Sequence, residues 1–230
     1  MAQKYNFYEH TKKDEITLLP FAFCLLPKNC IFAEKTSDMK IALFAAVEEE
    51  VRQISEKVHL TGIGRENATN AMLKFMDEHS DEEFTVINIG TAGAHTAPVG
   101  SLLHITEIVS GGTAFLDHPM LTDTPPSCFP ELPDAKLFSS DNFVSPSVYS
   151  ADFLKQLSDK ADCFDMESSA LYTVAKHFGK PYISYKIVSD HLDVDLATWQ
   201  QRVHDISGTL CEFVLDLLKA IEQQEEVVVL

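Results

Sequence analysis

The sequence lacks the cysteine and histidine spacings that build metal sites. Its five cysteines are an odd number, none falls in a Cys-x-x-Cys pair, and no His-Glu-x-x-His pattern occurs. Structural zinc sites and metalloprotease centres depend on such spacings. We therefore expect no metal site, and we expect the cysteines to be free or buried thiols in a reducing cytoplasm.

Positive charge is also scarce. The chain has 18 Lys and Arg residues against 35 Asp and Glu residues, which gives a formal net charge of −17. Nucleic acids and anionic membranes are bound by basic surfaces, so this balance argues against both partners. It also makes free phosphate a less favourable ligand, although a local cationic pocket could override the overall charge.

One apolar stretch, residues 16–26, is too short to span a bilayer and is interrupted by Pro20. A polar segment precedes it, which is atypical of a signal peptide, although a processed leader is an alternative interpretation. We expect residues 1–38 to form an N-terminal arm or an extra strand. Residues 39–230 are then expected to form a single domain.

Beyond these absences, strand and helix patterns alternate along the chain. Strands are predicted over 40–47, 59–61, 84–89, 101–110, 136–144, 161–164 and 182–188, and helices over 46–57, 66–79, 151–160, 166–177 and 197–222. Residues 117–133 are rich in proline and short polar side chains, which predicts a long loop. The alternation indicates an α/β fold with three α/β/α layers around a mixed, mostly parallel sheet. Ligands of such folds bind beyond the carboxyl ends of the strands.

Acidic residues follow three of the predicted strands: the cluster 48–50, Asp165 with Glu167, and Asp190. The carboxyl ends of the strands converge on one cleft, so these carboxylates are candidates for one site. Glycosidic-bond chemistry uses one carboxyl group as an acid and another carboxylate to activate water. Acidic residues at helix starts are also favoured by the helix dipole, so position alone does not establish catalysis.

Two glycine-containing turns also follow predicted strands, at residues 61–64 and 90–93. Small residues at such turns let a ligand approach the backbone amides, although tight strand-to-helix turns need glycine in any case. Neither turn matches the dinucleotide-binding fingerprint or the phosphate-binding loop. We therefore expect no nucleotide cofactor, and no other cofactor is indicated.

An ordered set of short motifs resembles a known family. The motifs occupy residues 39–51, 61–64, 88–94, 140–144, 165–167 and 188–190. Together they resemble the purine nucleoside phosphorylase/nucleosidase superfamily, and within it the 5′-methylthioadenosine/S-adenosylhomocysteine nucleosidases and their compact relatives. The resemblance covers residue 39 to about residue 218. It implies the nucleoside phosphorylase-like fold and hydrolysis of the N-glycosidic bond of a purine nucleoside.

The resemblance also implies the catalytic roles. Glu50 matches the residue that orients and deprotonates the attacking water, which makes Glu48 and Glu49 helix-start charges unless the match is offset by one. Asp190 matches the acid that protonates N7 of the purine. Glu167 matches the carboxylate that binds the ribose hydroxyls.

Further substrate contacts follow from the same resemblance. Met166 is expected to pack under the sugar and Phe143 to stack on the base, while Val144 offers backbone hydrogen bonds to the purine edge. The remaining expected site residues are Thr61, Gly90 and Thr91 near the nucleophile, Val47 near the 5′ side of the sugar, and Ser189 and Lys186 on the strand before Asp190. Ordinary core packing or local hydrogen bonding would equally explain Phe143, Val47, Met166 and Ser189.

The chain departs from the family pattern at two points. Only a short helix fits between Glu50 and Thr61, where methylthioadenosine enzymes carry a further strand pair that contributes to the 5′ pocket. The preference for the 5′ substituent is therefore left open. Lys186 stands where an arginine is usual, and lysine keeps the charge but loses the bidentate fork.

Phosphorolysis is the main alternative to hydrolysis. A phosphorylase needs a cationic site for phosphate, and Arg65 and Lys186 are the candidates for it. A carboxylate at Glu50 would repel phosphate and suits water, so hydrolysis is preferred. A non-catalytic nucleoside-binding protein and a hydrolase of 5′-phosphates are less favoured. The resemblance also implies a homodimer or a higher oligomer, with residues 101–115 as candidates for the contact.

Overall fold

The computed structural model describes residues 39–111, 119–121, 129–222 and 227–230. The expected N-terminal arm and part of the predicted loop 117–133 lie outside the described residues. The strands are β1 (Met39–Ala45), β2 (Val58–Leu60), β3 (Thr85–Ala94), β4 (Leu102–Ser110), β5 (Pro119–Leu121), β6 (Asp134–Ser139), β7 (Cys163–Asp165), β8 (Tyr182–Asp190) and β9 (Val227–Val229). The helices are α1 (Glu48–Val51), α2 (Arg65–Glu78), α3 (Ala151–Ser158), α4 (Ser168–His177) and α5 (Leu196–Glu222).

The predicted elements all have counterparts, but several of their ends differ. The first predicted helix, over 46–57, shortens to α1 and is followed by a 3₁₀ turn at Ser55–Lys57. The predicted strand 136–144 ends at Ser139 because the chain turns there. The predicted strand 84–89 continues to Ala94, since its glycine-containing segment pairs with β8 rather than turning away. Two short strands, β5 and β9, were not predicted.

The sheet is mixed and mostly parallel, as predicted. Six of its strand pairs are parallel, and the β3–β7, β4–β5 and β4–β8 pairs are antiparallel. Pairing runs from β3 through β8, β4, β6 and β7 and returns to β3, so five strands close into a ring. Strands β1, β2 and β9 extend the sheet from β3. The ring brings the carboxyl ends of β3, β7 and β8 together.

Helices cover both faces of the sheet. Because side chains alternate along a strand, Phe44 of β1 joins the core formed with α2 and α4, while Leu43 joins the core formed with α1 and α5. The apolar stripe of α5 is buried from Val203 to Ile221, and full burial of each large side chain stabilises the fold by about 1.5–3 kcal/mol. The fold class predicted from the alternation of elements is thus confirmed. No helix in the described part of the chain combines the length and apolarity needed to cross a membrane.

Candidate active site

A cleft opens at the carboxyl ends of β1, β3, β7 and β8. Four carboxylates face it together with a set of apolar side chains. The lining residues are Ala46, Glu50, Ile63, Thr91, Ala92, Gly93, Phe143, Val144, Phe164, Asp165, Met166, Glu167, Asp190, Leu192, Leu196 and Trp199. No residue of this lining, as far as the structure describes the chain, is a lysine, arginine or histidine. The cleft therefore favours neutral or electron-poor ligands over anions.

Glu50 lies in α1 immediately after β1 and is 3% exposed. Its Oε1 accepts hydrogen bonds from the backbone N–H of Thr91 at 2.7 Å and from the Thr91 hydroxyl at 2.8 Å. Its Oε2 accepts from the backbone N–H groups of Ala46 at 3.2 Å and Val47 at 3.4 Å. Donors from two strand ends thus fix both oxygens, and the carboxylate is held at the base of the cleft.

Two glycines of β3 make room for the carboxylates. Gly90 has a φ of 153°, and a Cβ at this position would lie 3.1 Å from Oε1 of Glu50. A Cβ at Gly93 would lie 2.7 Å from the Leu192 side chain and 3.1 Å from Oδ1 of Asp190. Side chains at these positions would displace the acidic groups, so the glycines predicted as a turn serve instead as clearance within a strand.

Glu167 lies at the start of α4 and is 8% exposed. Its Oε1 accepts a hydrogen bond from the backbone N–H of Gly64 at 2.7 Å. Burial, with the nearby negative charge of Asp165, raises the pKa of Glu167 from 4.5 to about 8, against the opposing effects of Lys186 and the Gly64 N–H. The Glu167 carboxyl group therefore holds its proton to a higher pH than an exposed glutamate does.

This raised pKa predicts a pH dependence of stability. Between pH 4.5 and about 8 the folded chain keeps a proton on Glu167 that the unfolded chain has released. The free energy of unfolding should therefore fall as pH rises through this window, by on the order of a few kcal/mol. Urea unfolding at pH 5 and pH 8 should show a smaller fall for Glu167→Gln than for the unmodified chain.

The matched control for this measurement is Glu78→Gln, which changes an exposed glutamate at the end of α2. It should keep the full pH dependence of the unmodified chain. An identical pH dependence in Glu167→Gln would show that this group does not titrate in the stated window.

Lys186 is buried behind the cleft and does not line it. Its Nζ lies 3.0 Å from Oδ2 of Asp165, and both side chains are almost inaccessible to solvent. A longer contact of 3.5 Å joins Nζ to Oδ1 of Asn88. Burial opposes the charge of this lysine, but Asp165, Glu50 and Glu167 outweigh burial and raise its pKa. Lys186 therefore carries the positive charge that balances the acidic cleft from within.

Asp190 ends β8 and is 1% exposed. Its Oδ2 accepts a hydrogen bond from the Ser189 hydroxyl at 2.7 Å, and its Oδ1 accepts from the backbone N–H of Leu192 at 2.8 Å. Leu192 adopts a φ of 63°, a conformation uncommon for a branched side chain. The turn after β8 thus holds the Asp190 carboxyl group toward the cleft.

The outer wall of the cleft is apolar. Phe143 and Trp199 meet edge to face, with ring centroids 6.5 Å apart. Ile63 and Leu196 are 40% and 53% exposed, unusually high values for large apolar side chains, and both face the opening. Trp199 keeps the helical spacing of the apolar stripe of α5, so the sequence favours a core position for it. Its place in the first turn of a helix at the sheet's carboxyl edge is the signal that could have identified it.

The structure brings most of the predicted site residues together. Those that line the cleft are Glu50, Thr91, Phe143, Val144, Met166, Glu167 and Asp190. The others lie close behind it: Gly90 against Glu50, Val47 as a backbone donor to Glu50, Ser189 against Asp190, Lys186 against Asp165, and Thr61 buried with its hydroxyl donating to the Gly62 carbonyl. Sequence reasoning missed Ala46, Ile63, Ala92, Gly93, Phe164, Leu192, Leu196 and Trp199 as lining residues.

Metal-binding side chains do not cluster in the described segments. No group of three or more His, Cys, Asp or Glu residues there has the arrangement needed to hold a metal ion. The chemistry available to the cleft is that of its carboxyl groups, the Thr91 hydroxyl and the backbone amides beside them. These groups can accept or donate protons and can stabilise positive charge.

The family model described as "Phosphorylase superfamily" matches residues 56–220. The chain belongs to the phosphorylase superfamily. The superfamily predicted from the ordered motifs is thereby confirmed. No curated protein sequence matches the chain.

Solved structures share the superfamily fold with this chain at low identity. Futalosine hydrolase of Helicobacter pylori, in a mutant form, has a TM-score of 0.63 and 19% identity, covering 81% of this chain and 99% of its own. The 5′-methylthioadenosine/S-adenosylhomocysteine nucleosidase of Helicobacter pylori has a TM-score of 0.64 and 19% identity, covering 80% and 99%. S-adenosylhomocysteine nucleosidase of Streptococcus pyogenes, in complex with 5-methylthiotubericidin, has a TM-score of 0.66 and 17% identity, covering 81% and 98%.

Proposed function

We propose that the chain hydrolyses the N-glycosidic bond of a purine nucleoside and releases the free base. The observation that carries this proposal is the meeting of Glu50, Glu167 and Asp190 in one cleft whose lining, among the residues that the structure describes, contains no Lys, Arg or His. A cleft rich in carboxylates stabilises the oxocarbenium-like charge that develops on the sugar as the bond breaks.

Each carboxyl group has a separate task in this mechanism. Glu50, held by Thr91 and the amides after β1, orients water and takes its proton. Glu167 binds the ribose hydroxyls, and Met166 packs beside it against the sugar. Asp190 donates a proton to N7 of the departing base, which leaves as a neutral purine. Phe143 stacks on the base and Val144 contacts its edge.

Water is preferred to phosphate as the nucleophile because the candidate cations are engaged elsewhere. Arg65 is hydrogen-bonded to Asp141 and Ser110, outside the cleft lining. Lys186 lies behind Asp165. Phosphate binding normally requires charge-assisted donors, and a phosphate beside Glu50 would meet a negative carboxylate.

The apolar outer wall supports a substrate with an apolar 5′ substituent. Ile63, Leu196 and Trp199 present hydrophobic surface at the opening, where a thioether such as that of 5′-methylthioadenosine would be removed from water. The hydrolases with the same fold include enzymes named for 5′-methylthioadenosine and S-adenosylhomocysteine. We therefore propose that 5′-thioether purine nucleosides are preferred to adenosine and inosine.

The test is release of free base from 5′-methylthioadenosine, S-adenosylhomocysteine, adenosine and inosine, each with and without phosphate. We expect release that does not depend on phosphate, with kcat/KM for 5′-methylthioadenosine about tenfold or more above that for adenosine. Release that requires phosphate would make the chain a phosphorylase. Binding without release from any of the four would indicate a non-catalytic nucleoside-binding protein.

A matched pair of leucine variants tests the 5′ preference. Leu196→Ala should reduce the ratio of kcat/KM between 5′-methylthioadenosine and adenosine, because Leu196 faces the opening. Leu73→Ala is the control, since Leu73 is similarly exposed on α2 but does not line the cleft. If the ratio of kcat/KM between 5′-methylthioadenosine and adenosine is the same in the two variants, the outer wall does not determine the preference for the 5′ substituent.

A further inference from the structure

Arg65, the first residue of α2, forms a two-point ion pair with Asp141 in the turn after β6. Its Nε donates to Oδ1 of Asp141 at 2.9 Å, and its Nη2 donates to Oδ2. Its Nη1 donates to the Ser110 hydroxyl at 3.0 Å at the end of β4. Parallel hydrogen bonds between a guanidinium and a carboxylate fix direction as well as distance. The pair therefore holds three elements in one relative position.

The two ends of this pair are close in sequence to two different segments that line the cleft. Next to Arg65, Ile63 lines the opening and the Gly64 N–H binds the Glu167 carboxyl group. Two residues beyond Asp141, Phe143 begins the wall proposed to contact the base. The ion pair thus links the segment that binds Glu167 to the segment that carries Phe143.

The stability of helix α2 does not explain why an arginine occupies this position. A helix N-terminus carries partial positive charge, so a cation in the first turn is locally unfavourable. The hydrogen bond and charge of Asp141 raise the pKa of Arg65, and Arg65 in turn lowers the pKa of Asp141. Only 24% of the Arg65 side chain is exposed, whereas 58% of the Asp141 side chain is exposed. The favourable interactions of the Arg65 side chain are therefore with Asp141 and not with the N-terminus of α2.

We infer that the Arg65–Asp141 pair is a positioning device that sets the separation of the two cleft walls and thereby the affinity for the nucleoside. This inference rests on the proposed function, because it assigns the base to the wall that carries Phe143. Exposed ion pairs add only about 0–1 kcal/mol to folding stability. The effect of the pair is accordingly on cleft geometry, and both residues are positioning residues without contact to the reacting atoms.

Trp199 provides a readout of that geometry that does not depend on catalysis. It is the single tryptophan of the chain, and it lines the cleft beside Phe143. Its emission reports the environment of the base wall in the empty protein, and quenching by 5′-methylthioadenosine gives a dissociation constant. A chain that binds nucleoside but releases no base still yields both quantities.

The experiment compares Arg65→Met, Asp141→Asn and the double variant with the unmodified chain. We expect each single variant to raise KM and Kd for 5′-methylthioadenosine about tenfold with kcat changed less than threefold. The double variant should be no worse than either single variant, because residues that act as a pair are non-additive. Arg65→Lys, which keeps the charge but loses the fork, should give an intermediate Kd.

Lys74→Met is the matched control, because it removes an exposed ion pair with Glu78 on the same helix. It should leave Kd and Trp199 emission unchanged. Three results would overturn the inference: unchanged Kd and emission in the Arg65 and Asp141 variants, additive effects in the double variant, or parallel loss of kcat and of the melting temperature. The expected changes in Kd in the Arg65 and Asp141 variants, without base release by the unmodified chain, would instead contradict the proposed function alone.

Discussion

Asp190→Asn is expected to lower kcat for base release by about 10²–10⁴-fold while leaving nucleoside affinity within threefold. Asparagine has the same shape and can still accept the Leu192 N–H, but it cannot deliver a proton to N7. The unprotonated purine is a poor leaving group, so bond cleavage slows while binding persists. Steady-state kinetics with 5′-methylthioadenosine and Trp199 quenching separate the two effects.

A substrate with a good leaving group makes this prediction sharper. A nitrophenyl riboside does not need protonation to leave, so Asp190→Asn should cleave it nearly as well as the unmodified chain does. Asp193→Asn is the matched control, because Asp193 is an exposed carboxylate three residues away that pairs with Arg202. A kcat within tenfold of normal for the purine substrate would remove Asp190 from the role of acid.

Lys186→Met is expected to lower the free energy of unfolding by about 3–5 kcal/mol, because it leaves the buried Asp165 carboxylate without a counter-charge. Urea unfolding at pH 7 measures the loss. The double variant Lys186→Met with Asp165→Asn should recover part of it, because it removes both buried charges.

Lys219→Met provides the control for the lysine substitution. Lys219 pairs with Asp216 on α5, and both side chains are exposed, so its loss should cost no more than about 1 kcal/mol. A similarly small loss in Lys186→Met would mean that the Asp165 carboxylate does not depend on Lys186 as its counter-charge. The charge balance described for the cleft would then be incorrect.

The fold was predictable where the signal is local. The helical spacing of apolar residues in α5 and the continuous apolar runs in β3 and β8 each predict a buried element from local sequence alone. The short α1 was not predictable, because the acidic residues 48–50 favour a helix start but nothing in the sequence marks its end at Val51. Strand β9 pairs with β1, almost the whole domain away in sequence, and no local pattern specifies such a partner.

The residues of the candidate site also fall into those that local sequence predicts and those that it does not. Glu50, Glu167 and Asp190 follow strands directly, so their convergence follows from the fold class. Trp199, Leu196 and Ile63 come from separate segments whose meeting depends on tertiary packing. Lys186 stands four residues before the end of β8, about 13 Å back from the strand's edge at 3.3 Å per residue. Its motif position suggested a ligand contact, whereas its depth in the sheet directs it to Asp165.

Main-chain amides hold the acidic groups of the cleft. The backbone N–H groups of Ala46, Val47 and Thr91 bind Glu50, that of Gly64 binds Glu167, and that of Leu192 binds Asp190. Every residue except proline supplies such a donor, whatever its side chain. Substitutions at these supporting positions can therefore accumulate without releasing the carboxylates, provided that the backbone path is kept. The geometry of the acidic site is thus tied to the course of the main chain more than to the identity of the residues that support it.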